Sequence, residues 1–182
     1  MNVLLIGPRF AGKTTIGRAL ARRRGVPLVD LDDAVLASFD QPSVRAVWAE
    51  QGEKAWRQAE LVALTRCMVE DGRVVSLGGG VPEIPEAAER IRAAQADGRA
   101  RVVYLQCPVE VLRARMAAMP GDRPPLSEHD PAMEIEVVLK RREPIYLDLA
   151  DEVVEAGVAS ADDIAIEIDR LIRVGPGGRT ER

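Results

Sequence analysis

Residues Gly7-Pro8-Arg9-Phe10-Ala11-Gly12-Lys13-Thr14 follow the spacing G-x-x-x-x-G-K-[ST]. The chemistry of that pattern is anion binding. Successive backbone N–H groups and the start of the following helix converge on one point. Lys13 can reach the β- and γ-phosphates of a nucleotide, and the Thr14 hydroxyl can ligate Mg²⁺. Two carboxylates, Asp30 and Asp32, and three consecutive glycines, Gly78, Gly79 and Gly80, are the other groups with chemical promise. Carboxylates beside such a loop can hold Mg²⁺ through water or take a proton from an attacking hydroxyl. A glycine run lets a substrate approach backbone N–H groups closely. Plainer readings compete: a chance match in a turn, a helix N-cap at Asp32 or Asp33, and a flexible glycine turn.

Strands and helices must alternate to bring these groups together. Residues 2–6 form an apolar strand pattern, followed by a helix from Lys13 to Arg24 that stops at Gly25. A short strand over 26–29 leads into the Asp30-Leu31-Asp32-Asp33 segment, with a helical pattern over 33–38. Ser43 is an N-cap for a helix ending near Gly52, and a second helix covers about 53–70. Strands over 73–77, 101–106 and 152–155 alternate with helices starting at Pro85, Pro108, Pro131 and Ala161. This is α/β order: a five-stranded parallel sheet flanked by helices, with ligands at the strand C-terminal ends. The motif-bearing loops follow strands one, two and three, so they face one crevice. One domain over 1–174 is expected, with a disordered Gly-rich tail over 175–182.

Composition narrows the function. The chain has 182 residues, 25 Lys and Arg against 29 Asp and Glu, and a net charge of −4, which argues against a nucleic-acid footprint. Aromatics are 3%, so the core is built from Val, Leu, Ile and Ala. Cys67 and Cys107 fall in separate elements with no CxxC, so two buried thiols in a reducing, cytoplasmic setting are expected. The only histidine, His129, lies in a polar stretch, which rules out a His-based triad. Met1-Asn2 lead straight into a strand pattern, so neither a secretory leader nor a membrane partner is expected.

The motifs in order resemble shikimate kinases over about residues 2 to 172. They are the phosphate loop, Asp30-x-Asp32, G-E-x-x-[FW]-R-x-x-E over Gly52 to Glu60, Leu77-Gly78-Gly79-Gly80, Arg123-Pro124-Pro125-Leu126, and Arg142-Glu143-Pro144-Ile145-Tyr146. The resemblance implies a P-loop kinase fold with a substrate-binding segment over about 32–62 and a lid over about 119–129. It implies phosphorylation of the shikimate 3-hydroxyl by ATP with Mg²⁺. Phe10, Ala11, Gly12, Lys13, Thr14 and Thr15 then bind the nucleotide, and Thr14 and Asp30 serve the metal. Asp32 binds substrate and orients or deprotonates the attacking hydroxyl. Arg57 and Arg142 clamp the shikimate carboxylate, which suits the guanidinium fork. Gly78, Gly79 and Gly80 contact the substrate. Lys13 and Arg123 act on the transferring phosphoryl group, and Arg115 packs on adenine. Plainer readings remain for three arginines: a surface pair with Glu60 for Arg57, a solvated helix face for Arg142, and an ordinary helix surface for Arg115. A monomer is expected.

Phe10 departs from the family pattern, which usually has Gly there. If that position needs φ > 0, Phe costs about 1–2 kcal/mol. Two rival functions are a kinase for another small hydroxylated acid and a non-catalytic nucleotide-binding module.

Overall fold

A computed structural model describes residues 1–118 and 131–174 of the chain. The expected lid over 119–129, with Arg123, and the tail over 175–182 lie outside the described residues.

Strand β1 (Asn2–Ile6) is buried along its whole length because it is the middle strand of the sheet. Its neighbours are β3 (Val74–Ser76) and β4 (Ala100–Gln106), and all pairings are parallel. Beyond them lie β2 (Leu28–Asp30) and β5 (Glu152–Glu155), giving the order β2-β3-β1-β4-β5. Parallel strands are covered on both faces, which explains continuous apolar runs such as Val3-Leu4-Leu5-Ile6 and Val102-Val103-Tyr104-Leu105. After β1 the chain crosses to β2 on one side, and β4 lies on the other. The carboxyl ends of β1, β2 and β3 therefore open onto one crevice.

Helix α1 (Lys13–Arg24) starts directly on the phosphate loop and ends at Gly25 in the left-handed conformation, as the sequence indicates. Several expected boundaries shift by a residue or more, two of them for a visible reason. Strand β2 begins at Leu28, because Val29 pairs with Val75 and Asp30 with Ser76, while Pro27 contributes only its carbonyl to Val74 N. Helix α2 covers Leu31–Leu36, because Asp30, not Asp32 or Asp33, is its N-cap; the Asp30 carboxylate accepts from Asp32 N at 3.0 Å. Helix α3 (Val44–Cys67) is capped by Ser43 as expected and is broken at Gly52, where φ is 80° and ψ 168°. That break separates the two helical segments read from the sequence. The second turns the 56–60 face toward the crevice, anchored by buried Trp56 stacked on Phe39.

A 3₁₀ turn over Val81–Glu83 follows the triple glycine and was not evident in the sequence. The remaining helices are α4 (Pro85–Ala96), α5 (Val109–Ala118), α6 (Pro131–Leu149) and α7 (Ala161–Val174). Cys67 and Cys107 are buried free thiols. Among the described residues no helix is long and apolar enough to cross a membrane.

Helix α7 is fastened to α1 by Asp169, whose side chain is 2% exposed and meets Arg23 at 3.1 Å, Arg24 at 2.9 Å and Arg173 at 3.0 Å. Burial alone would raise its pKa, but the three guanidinium groups outweigh it and hold it below the ordinary carboxylate value. A depressed carboxylate pKa contributes stability above the unfolded value of about 3.9, lost as pH falls through the folded value. Asp169→Ala is expected to cost about 1–3 kcal/mol at pH 7, the worth of charge-assisted hydrogen bonds. Thermal melts check this. The gap between wild type and variant should narrow near pH 3, and an unchanged gap would contradict the assignment.

Candidate active site

The phosphate loop is shaped by cations that hold its carbonyls. Lys13 Nζ donates to the carbonyls of Gly7 at 3.0 Å and Pro8 at 2.7 Å. Arg115 Nη1 donates to the Phe10 carbonyl at 3.0 Å. Loop strain is visible at Phe10, whose φ is +66°. The position does require φ > 0, as the glycine usual in the family would allow.

Thr14 Oγ1 donates to Asp30 Oδ2 at 2.5 Å. The other Asp30 oxygen is the α2 cap, so the carboxylate is fixed at the loop by both its oxygens. Mg²⁺ takes one or two protein oxygens and completes its shell with water and phosphate. The Thr14–Asp30 pair, two hard oxygen donors beside the loop, fits that requirement. Asp32 and Asp33 follow on the first turn of α2 and line the same cavity of about 440 Å³ as Lys13, Thr14, Ser76 and Gly79. Partial burial, then the charges of Asp30 and Asp32, push the Asp33 carboxyl above its ordinary value.

The triple glycine is where the remaining predicted groups meet. A Cβ on Gly78 would lie 2.6 Å from Glu60 Oε1 and 2.7 Å from Asp32 Oδ1. On Gly79 it would lie 3.5 Å from Arg142 Nη1, and on Gly80 it would collide with the Arg57 guanidinium. A side chain on Gly78 or Gly80 would displace these charged groups, whereas one on Gly79 would meet its neighbours only at 3.3 Å or more. Two carboxylates and two guanidinium groups crowd the turn.

Each of those groups is held. Arg57 donates to Glu60, which is fully buried, at 2.8 Å, and to Glu53 at 2.9 Å. The Glu60 pair read from the i,i+3 spacing exists, but it is half-buried beside the turn rather than a surface pair. Burial opposes the Arg57 charge, yet Glu60 and Glu53 outweigh it and raise its pKa. Arg142 is 3% exposed, which removes the solvated-face reading. Glu83, from the 3₁₀ turn, accepts from Arg142 Nε and Nη2, each at 2.7 Å. Tyr146 donates its hydroxyl to the Gly79 carbonyl at 2.6 Å, and burial raises its pKa so that it remains a neutral donor. Glu83 and the anchoring role of Tyr146 were missed. Tyr146 ends a quoted motif, but Glu83 has no local signal because its partner lies 59 residues away.

Arg115 is held by backbone carbonyls rather than lying on an ordinary helix surface. Besides the Phe10 carbonyl, its guanidinium donates to the carbonyls of Ala156 at 3.1 Å and Gly157 at 3.2 Å. It is therefore not a free helix-surface arginine. It borders a second cavity of about 350 Å³, with Thr15, Ala161 and Ile164, on the far side of Phe10 from the first. Arg123 lies outside the described residues.

Chains of the same build are known. A family model described as Shikimate kinase matches residues 9–173. The shikimate kinase of Nitrosococcus oceani is 32% identical over 181 residues, covering 100% of this chain and 92% of that protein. Shikimate kinase 2 of Syntrophotalea carbinolica is 38% identical over 160 residues, covering 87% of this chain and 89% of its own. A solved structure of shikimate kinase from Acinetobacter baumannii in complex with shikimate is similar with a TM-score of 0.87 at 29% identity, covering 99% of this chain and 95% of that one.

Proposed function

The chain belongs to the shikimate kinase family, and we propose from that premise how its residues move the γ-phosphoryl group of ATP to the 3-hydroxyl of shikimate. The observation that carries the reading is the convergence of Asp32, Glu60, Arg57 and Arg142 on Gly78, Gly79 and Gly80, beside the phosphate loop. Shikimate is a small carboxylate with three hydroxyls. Two guanidinium groups suit its carboxylate, and two carboxylates suit its hydroxyls. Arg57 and Arg142 bind the carboxylate, while Asp32 orients the 3-hydroxyl and takes its proton. Gly78, Gly79 and Gly80 give the substrate access to backbone.

Residues Phe10 to Thr15 bind the nucleotide, with its triphosphate on the loop and its base in the cavity beyond Phe10. Lys13 and Arg123 neutralise charge on the transferring group. Thr14 and Asp30 hold Mg²⁺, which supplies charge neutralisation at the phosphates when bound. Positioning and charge supply most of the catalysis in such a transfer. One chain contains all of these residues, which suits a monomer, and the two buried thiols suit a reducing cytoplasm.

The test is ADP release from ATP and Mg²⁺ with shikimate, gluconate and nucleoside monophosphates offered in turn. Turnover with shikimate alone is expected; turnover with another acceptor, or with none, would overturn the reading. Arg57→Ala and Arg142→Ala should each raise KM for shikimate about ten- to a hundredfold, the loss of a charge-assisted contact worth about 1.5–3 kcal/mol. KM for ATP should change little. A variant that chiefly weakened ATP would place that arginine in the other subsite.

A further inference from the structure

Phe10 is the only residue other than glycine with a positive φ among the described residues. It stands third in the turn Pro8–Ala11, closed by Ala11 N donating to the Pro8 carbonyl at 3.4 Å. A positive φ at the third position is the mark of a type II turn, which favours glycine there. A residue with a β-carbon is strained in that conformation and persists in it only where the surroundings over-determine it.

Arg115 supplies that constraint. Its Nη2 is fixed to the Ala156 and Gly157 carbonyls, at the exit of β5, and its Nη1 reaches the Phe10 carbonyl at 3.0 Å. The Phe10 ring adds a second hold, half-buried against the core and under the Arg9 guanidinium at 5.3 Å. Because the Phe10 carbonyl sets the plane of the next peptide, the Arg115 hydrogen bond also sets the direction in which Ala11 and Gly12 continue the loop.

We propose that Arg115 is a positioning residue that latches the phosphate loop, through the Phe10 carbonyl, in the left-handed turn that phosphate binding requires. With glycine at position 10 the loop adopts that turn without help. With Phe10 it depends on the latch. Without Arg115, residue 10 relaxes toward negative φ, and the apparent affinity for phosphates falls by the fraction of molecules left competent. The inference rests on the reading of this loop as the ATP site and adds to it a dependence specific to this chain.

The experiment is a double-mutant cycle with Arg115→Met and Phe10→Gly, read as Kd by calorimetry for ATP and for tripolyphosphate, which has no base. Arg115→Met should weaken both ligands about tenfold in the Phe10 background and less than about threefold in the Phe10→Gly background. Rescue by Phe10→Gly is the decisive readout, since general damage to the fold would not be repaired by a glycine in the loop. Equal losses in both backgrounds would overturn the latch. So would a loss for ATP without one for tripolyphosphate, which would assign Arg115 to the base. If Arg115→Met melts below the assay temperature, Arg115→Lys takes its place. Lys cannot span the Phe10, Ala156 and Gly157 carbonyls as the guanidinium does, so the latch loosens and the same rescue by Phe10→Gly is required of it. The wild-type measurements separate the two readings: a wild type that phosphorylates shikimate with an additive cycle defeats the latch alone, and one that binds neither ligand defeats both.

Discussion

Lys13→Ala is expected to cut turnover by at least about 10²–10³-fold while the protein stays folded. In the proposed reading the ammonium group is one of the preorganised charges aimed at the transferring phosphoryl group, and removing one such donor has that effect in comparable sites. Its structural role is smaller. Lys13 Nζ satisfies the Gly7 and Pro8 carbonyls, and water can replace it there because the site is open. Two neutral acceptors returned to water cost about 1–2 kcal/mol, a few degrees in Tm for a chain of this size. A coupled assay for ADP and a thermal melt therefore give different answers for this variant. Near-normal turnover would show that the loop is not the ATP site. Arg123 belongs to the same prediction, since the proposed reading places it at the same phosphoryl group. Arg123→Ala should lower kcat more than it weakens ATP, because its contact strengthens as charge spreads in the transition state.

The sequence was most informative where function depends on local spacing. The phosphate loop, the caps at Ser43 and Gly25 and the break at Gly52 depend on residues adjacent to them in the chain, and the structure has them where the spacing puts them. The α2 boundary was misplaced because three acids, Asp30, Asp32 and Asp33, are all chemically able to cap. Only the Asp30 backbone, extended at the end of β2, has the geometry to do it. The i,i+3 spacing shows the Glu60 partner of Arg57, but the partners of Arg142 and Arg115 have no such local signal. Glu83 meets Arg142 across 59 residues, and Arg115 meets the Ala156 carbonyl across 41. A carbonyl acceptor has no residue type, so no pattern in the sequence could announce the Arg115 contacts. Phe10 stands out in the sequence as a departure from a motif that is costly if its φ is positive, and the backbone angle of +66° meets that condition.

Asp32→Asn should lower kcat by about 10²–10⁴-fold, the usual worth of a positioned general base, with a much smaller change in KM for shikimate. The argument is geometric. Asp32 sits on the first turn of α2, fixed there by its own N–H on the Asp30 carboxylate. Its Oδ1 is buried against Gly78, and the residue lines the cavity that also holds Lys13 and Thr14, so a hydroxyl bound at the glycine turn lies between the acid and the phosphates. Asn has the same shape and still hydrogen-bonds a hydroxyl, but it cannot accept the proton. A variant with raised KM and unchanged kcat would make Asp32 a binding group only. Stability provides an independent check of the same environment. The Asp33 carboxyl is raised by burial, by Asp30 and by Asp32. A raised carboxylate pKa means that ionisation opposes folding at pH values above the folded pKa. Neutralising Asp32 removes part of that repulsion, so Asp32→Asn should melt slightly higher than wild type at pH 7. That gain should fade at acid pH, where the carboxyls are protonated in both proteins. An enzyme that is more stable and nearly inactive is what a charge kept for catalysis, at a cost to the fold, predicts.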